Sequence, residues 1–210
     1  MDTSTIFIIA ILIFSVIVHE VAHGYAANAL GDTTARLAGR LTLNPLPHID
    51  LFGSVLIPAF LVFTHAGILF GWAKPVPYNP YNLKNQRWGE AFVAIAGPGT
   101  NLLIAVLFAI GIRIGGNFLT PAAVALAGYI VLINLFLGLF NLIPIPPFDG
   151  YTVLSRALPY RHAAVMQNFE QRIRSWGPLG LIVVLFIVVY FLAAPFSQLV
   201  FLLFHLLVGG

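Results

Sequence analysis

Apolar residues in this chain come in long runs rather than in the spaced stripes of a water-facing helix. From about Ser4 to Leu30 most positions are apolar, and Gly31-Asp32 ends the run. Such a run exceeds the ~20 residues that cross a ~30 Å hydrocarbon core, so it predicts a membrane-spanning helix. Gly89 to Ile114 and Pro121 to Ile143 predict two more spans. Pro178 to Val208 predicts a last one, long enough to be kinked or divided at Pro195. Leu51 to Trp72 is apolar too, but Gly53, Pro58, Thr64-His65 and Gly67 break it.

The connections carry different patterns. Thr33 to Pro47 is polar and irregular, with Arg40-Leu41-Thr42-Leu43-Asn44 alternating like a short strand. Lys74-Pro75-Val76-Pro77-Tyr78-Asn79-Pro80 is extended, because proline excludes helix there. Tyr151 to Trp176 is a cationic stretch with short helical patterns. The fold class is therefore an all-α polytopic membrane protein. It has about four to six transmembrane helices and a short membrane-associated β or re-entrant segment after the first.

Composition strengthens that reading. Residues 1–210 are 60% hydrophobic and 8% charged, far below the ~25% charged of a soluble domain. The net charge of +3 bears on topology and lipid headgroups. No basic and aromatic patch is arranged to read nucleic acid. The chain has no cysteine, which excludes disulfides and thiolate metal ligands. Only Asp2 precedes the first apolar run as a charge, and the run is too long for a cleaved signal, so it reads as a retained helix. One domain accounts for 1–210, with a core over about 5–157 and a helical segment over about 158–210. No connection has room for an inserted domain of ~80 residues.

The first run also carries chemistry. His19-Glu20-Val21-Ala22-His23 places two imidazoles four residues apart on one helix face, about 6 Å along the axis. That spacing suits one Zn²⁺, with Glu20 beside it as general base. Ionisable groups in a membrane helix are costly and usually functional. The structural alternative is a packing cluster with the histidines hydrogen-bonded across helices. A hydrolytic zinc needs a third protein ligand and an open position. Asp32, Asp50, His48, His65, Glu90 and Asp149 are the candidates. Asp149 stands out because it ends a proline-rich extended run, and irregular backbone at membrane depth must be buried in protein or line a wet cavity. Asp149 also reads as an N-cap for a helix starting near Gly150.

Three motifs in order resemble the site-2 protease family of intramembrane zinc metalloproteases, in its compact form without a PDZ domain. They are His19-Glu20-Val21-Ala22-His23, Gly97-Pro98-Gly99-Thr100-Asn101, and Asn141 through Asp149-Gly150. Arg40 to Pro45 and Gly71 to Pro77 also look like the compact subgroup. The resemblance covers roughly residues 5 to 157. It departs at Phe148-Asp149-Gly150-Tyr151, where the family often has Leu-Asp-Gly followed by a small residue.

The resemblance implies an intramembrane zinc endopeptidase with one Zn²⁺ per chain on His19, His23 and Asp149. Its substrates would be single-span membrane proteins in regulated intramembrane proteolysis. By the same resemblance Asn101 and Asn141 line the cleft and contact substrate or the developing oxyanion; interhelical hydrogen bonding is the alternative for both. Gly97 and Gly99 read as permitting close helix approach. Residues Arg40 to Asn44 offer an edge onto which an unwound substrate adds as a strand, with simple loop structure as the alternative. His48 and His65 read as interfacial packing, Trp72, Trp88 and Trp176 as interfacial anchors, and Arg156, Arg161, Arg172 and Arg174 as headgroup contacts. Two other readings compete: a metal or proton transporter or channel using the same ionisable cluster, and a zinc-binding scaffold. A transport path predicts ionisable groups through both leaflets, whereas here they gather toward one side.

For Asp149 to meet His19 and His23 at one depth, Leu51 to Trp72 must enter and return. Arg36, Arg40, Lys74, Lys84, Arg87, Arg156, Arg161, Arg172 and Arg174 then share one side, and Arg113 alone faces the other. A full crossing would move Arg36 and Arg40 to the side of Arg113. The positive-inside rule favours the first arrangement. It predicts a multi-pass protein of the cell membrane, with its site nearer the cytoplasmic face and its N-terminus outside.

Overall fold

The computed structural model describes residues 3–64, 71–116 and 118–209. Among the described residues four helices are long and apolar enough to cross a membrane. They are α1 (Thr3–Ala29), α4 (Gly89–Gly115), α5 (Pro121–Asn141) and α8 (Pro178–Val208). Shorter helices lie between them: α2 (Thr34–Leu37), α3 (Ile57–Phe63), α6 (Asp149–Ala157) and α7 (Tyr160–Ser175). Pro195 does not divide the last span; α8 continues through it for 31 residues.

The central helix is α4, which packs against α1, α5, α6 and α8. Small residues make that possible. Ala105 and Ala109 of α4 are buried with Ile112 against Val131 and Leu135 of α5 and Val200 of α8. A second cluster joins Phe148 to Val184 and Val188 of α8. Large side chains such as Phe7, Phe14, Phe186 and Phe191 stay exposed, as expected where lipid rather than water is the neighbour.

Chain direction follows from contacts at the helix ends. Lys84 N–H donates to Leu30 C=O at the C-terminal end of α1. At the opposite end Arg113 of α4 donates to Leu206 C=O of α8. The Leu51 to Trp72 segment is described over 51–64 and 71–72. It opens with a π-helical turn over Leu51–Leu56 and runs into α3. Yet Trp72 N–H donates to Gly53 C=O at 3.1 Å, and Ser54 Oγ donates to Trp72 C=O at 2.8 Å. The two ends of the segment therefore meet. The Trp72 indole lies over Gly53, where a Cβ would come within 2.4 Å of the ring, so this tryptophan packs on protein rather than standing as a free anchor.

The strand expected over Arg40 to Asn44 does not form; no strand occurs among the described residues. The backbone is bent there by local bonds. Thr42 C=O takes His48 Nε2 at 2.9 Å, and Asn44 N–H donates to the Thr42 hydroxyl at 3.1 Å. With those groups spent locally, no ladder with another segment is built.

Candidate metal centre

His19 and His23 lie one turn apart on α1, and α5 ends at Asn141 so that the chain can turn back toward them. The turn is tight at Gly150, where a Cβ would come 2.1 Å from Leu142 O. Asp149 is the first residue of α6. The N-cap is Phe148, with no side-chain cap, so the Asp149 carboxylate does not cap its own helix. It reaches the histidines instead: Oδ2 is 3.2 Å from His19 Nε2 and 3.4 Å from His23 Nε2. The two Nε2 atoms are 3.0 Å apart. Among the described residues these three are the group that could hold a metal ion.

Hydrogen bonds decide which ring nitrogen carries the proton. His23 Nδ1 is 2.7 Å from Val93 C=O, and a carbonyl only accepts, so Nδ1 carries the proton. The His19 tautomer is set through a chain of amides. Asn134 Nδ2 must donate to Ile130 C=O at 2.9 Å, which orients that amide. Its Oδ1 then accepts from Asn101 Nδ2 at 2.8 Å. Asn101 Nδ2 also faces Ser15 C=O at 3.3 Å, and Asn134 Nδ2 meets Ser15 Oγ at 3.0 Å. Asn101 Oδ1 is left to accept from His19 Nδ1 at 2.6 Å. Both Nε2 atoms thus present lone pairs to one point beside a carboxylate.

That donor set fits a cation. Two lone pairs and a carboxylate oxygen at 3.0–3.4 Å repel one another unless positive charge lies between them. Tetrahedral zinc with ~2.0–2.1 Å bonds has ligand edges of about 3.3 Å.

Glu20 points to another wall. Its Oε2 accepts the Val76 N–H at 2.9 Å, from the extended proline-rich segment. Asn101 makes the interhelical hydrogen bonds named as its alternative: it is fully buried, with its amide committed to His19, Asn134 and Ser15. Asn141 spends one amide N–H on Leu137 C=O at 3.0 Å. Gly97 has a sharper role than helix approach. A Cβ there would come 2.4 Å from His23 Nε2 and 2.7 Å from His19 Nε2, so its missing side chain is space for the centre. Around Gly99 nothing lies within 4 Å.

The other candidate ligands are engaged elsewhere. Asp32 is fully buried and accepts from Thr34 N–H and Oγ1, Asn79 N–H and Asn82 Nδ2. Asp50 caps the π-helical turn through Gly53 N–H at 2.7 Å. His48 is buried and bonded to Thr42. Glu90 pairs with Arg156, so that arginine ties α4 to α6 rather than facing headgroups. Arg174 pairs with Glu170 one turn away. His65 lies outside the described residues. Sequence reasoning missed Ser15, Asn134 and Val93; two polar residues in apolar helices were the available signal for the first two, while a backbone carbonyl leaves none.

Residues 7–119 and 109–188 match peptidase family M50. YwhC of Bacillus subtilis (strain 168), named as a zinc metalloprotease, is 41% identical over 172 residues, 78% of this chain and 74% of that one. Rip2 of Mycolicibacterium smegmatis, named likewise, is 30% identical over 186 residues, 86% of this chain and 66% of its own. Rip2 of Mycobacterium tuberculosis (strain H37Rv) is 28% identical over 149 residues, 71% of this chain and 56% of its own. This chain thus spans about three quarters of the first relative's length and two thirds or less of the other two. No solved structure matches.

Proposed function

The chain belongs to peptidase family M50, and from that premise we propose that it is a zinc endopeptidase that cuts transmembrane segments of single-span membrane proteins. One observation carries the proposal. His19, His23 and Asp149, from α1 and α6, converge with both Nε2 lone pairs bare. The zinc metalloprotease names of the relatives support zinc as the metal. Zinc there supplies Lewis acidity to the attacking water and to the scissile carbonyl.

This chain's own residues do the rest. His19, His23 and Asp149 hold the ion. Glu20 takes the proton of the attacking water and delivers it to the leaving amine as the peptide C–N bond breaks. Asn101 and Val93 C=O hold the imidazoles in register. Asn141, which has an amide N–H left over, donates to the developing oxyanion. The helical substrate must unwind, because its amides are otherwise shielded. Leu41 supports Arg40 to Asn44 as the place where it docks: its side chain lies over Gly24, four residues beyond Glu20, where a Cβ would meet Leu41 at 2.5 Å. Leu41, Thr42 and Leu43 then border the extended substrate.

The site faces the cytoplasm in the cell membrane. The meeting of Trp72 with Gly53 supports this, since it leaves Arg113 as the cation at the far end. The test is cleavage of a panel of tagged single-span proteins in detergent by wild type and Glu20→Gln, with bound zinc quantified in both. Cleavage by wild type alone, with zinc in both, is the expected result. Folded protein with neither zinc nor cleavage would overturn the proposal.

A further inference from the structure

A glutamate that moves protons needs a fixed place for its carboxylate, yet its side chain has three rotatable bonds. Between Pro75 and Pro77, neither of which has an N–H, Val76 carries the one backbone donor of the triplet. That donor meets Glu20 Oε2 at 2.9 Å.

The segment that presents it is tied down on both sides. Upstream, Lys74 N–H donates to His48 C=O at 2.9 Å, and Arg40, itself buried, donates to Lys74 C=O at 2.8 Å. Downstream, Asn79 N–H donates to Asp32 Oδ2 at 2.7 Å. The Val76 side chain is buried against Gly24 of α1, where a Cβ would come 2.8 Å from Val76 Cγ1. Four anchors, from α1 and two connections, therefore hold the segment that presents this amide.

We propose that the Val76 backbone N–H is a positioning donor for catalysis. It pins Glu20 Oε2 so that Oε1 faces the attacking water. The prolines on either side hold the segment extended and keep competing donors away from the carboxylate. Val76 touches neither substrate nor metal; it acts through Glu20. The inference rests on Glu20 being the base.

The test exchanges the Val76 amide for an ester, by nonsense suppression with 2-hydroxyisovaleric acid. This removes the N–H and keeps the side chain. Val76→Ala is its complement, keeping the N–H and trimming the packing. Both are assayed with Glu20→Gln in the full chain in detergent, on a tagged single-span protein that wild type cleaves. Hydrogen bonds to charged groups are worth enough to predict a kcat loss of roughly tenfold to a hundredfold in the ester. KM and zinc content stay at the wild-type value in the ester, and Val76→Ala, which trims one anchor but keeps the N–H, loses less kcat than the ester. An unchanged kcat in the ester, an equal loss in Val76→Ala, or loss of zinc in the ester would overturn the inference. Zinc-loaded Glu20→Gln that still turns over would overturn the base assignment, and this inference with it. Inactive Glu20→Gln beside a fully active ester would overturn this inference alone.

Discussion

Asn101 Oδ1 accepts from His19 Nδ1 at 2.6 Å, across 82 residues of sequence and the interface of two spanning helices. Nothing in this relationship is free to vary. Ile130 C=O orients Asn134, Asn134 orients Asn101, and Asn101 leaves His19 Nε2 as the nitrogen that faces His23 and Asp149. The tautomer of His19 is thus determined by a carbonyl on a third helix.

Removing the acceptor should therefore weaken metal binding without touching a ligand. Outer partners of ligating histidines are typically worth 10–100-fold in affinity. Asn101→Leu is expected to lose zinc by that factor in a chelator competition. Asn134→Leu, one amide further out, is expected to lose less. Wild-type affinity in Asn101→Leu would show that the hydrogen bond does not hold His19.

The two glycines of the Gly97-Pro98-Gly99 run are expected to differ sharply. An added methyl at Gly97 would lie against both Nε2 atoms, whereas one at Gly99 meets nothing within 4 Å. Gly97→Ala should give folded protein without stoichiometric zinc and without cleavage, and Gly99→Ala should retain both. Elemental analysis of the purified variants decides it; equal zinc in the two would refute this packing.

Glu90 and Arg156 join α4, which carries Val93, to α6, which carries Asp149. Their side chains are 14% and 29% exposed, so removing one partner strands a largely buried charge. Arg156→Gln is expected to cost about 1–3 kcal/mol, and the double variant with Glu90→Gln less than the sum of the two single changes. Chemical unfolding in detergent measures the cycle, and strict additivity would mean that the ion pair does not couple the helices.

Acid should release the clasp at Asp32. Burial raises its pKa, but donors from Thr34, Asn82 and Asn79 outweigh it and hold the folded value below the ordinary 3.8. A lowered folded pKa contributes stability that is fully present above the unfolded value and lost as pH falls through the folded one. Melting temperature should therefore drop below about pH 4. In Asp32→Asn, part of that drop should be absent and the melting temperature at neutral pH should be lower. Other carboxylates titrate over the same range, so the informative quantity is the difference between the two pH profiles. Parallel profiles would show that Asp32 contributes no such linkage.

Much of this protein follows from its sequence through local rules. Transfer of apolar residues into lipid needs no knowledge of neighbours, so the runs that became α1, α4, α5 and α8 were legible one by one. Helical periodicity alone brings His19 and His23 together. Requiring one depth for Asp149 and the histidines also implied that residues 51–72 enter and return, and Trp72 does meet Gly53. Tertiary structure decided what depends on partners distant in the chain. It bent Arg40 to Asn44 away from a strand, bonded Asn101 to His19, and made Asp32 a clasp rather than a ligand. It also set the Val76 amide on Glu20 and left Gly97 as room for the metal. Each is a choice among hydrogen-bond partners or a matter of free volume. Those are settled only when separate helices pack, because a donor, an acceptor or a void has no meaning until its neighbour arrives.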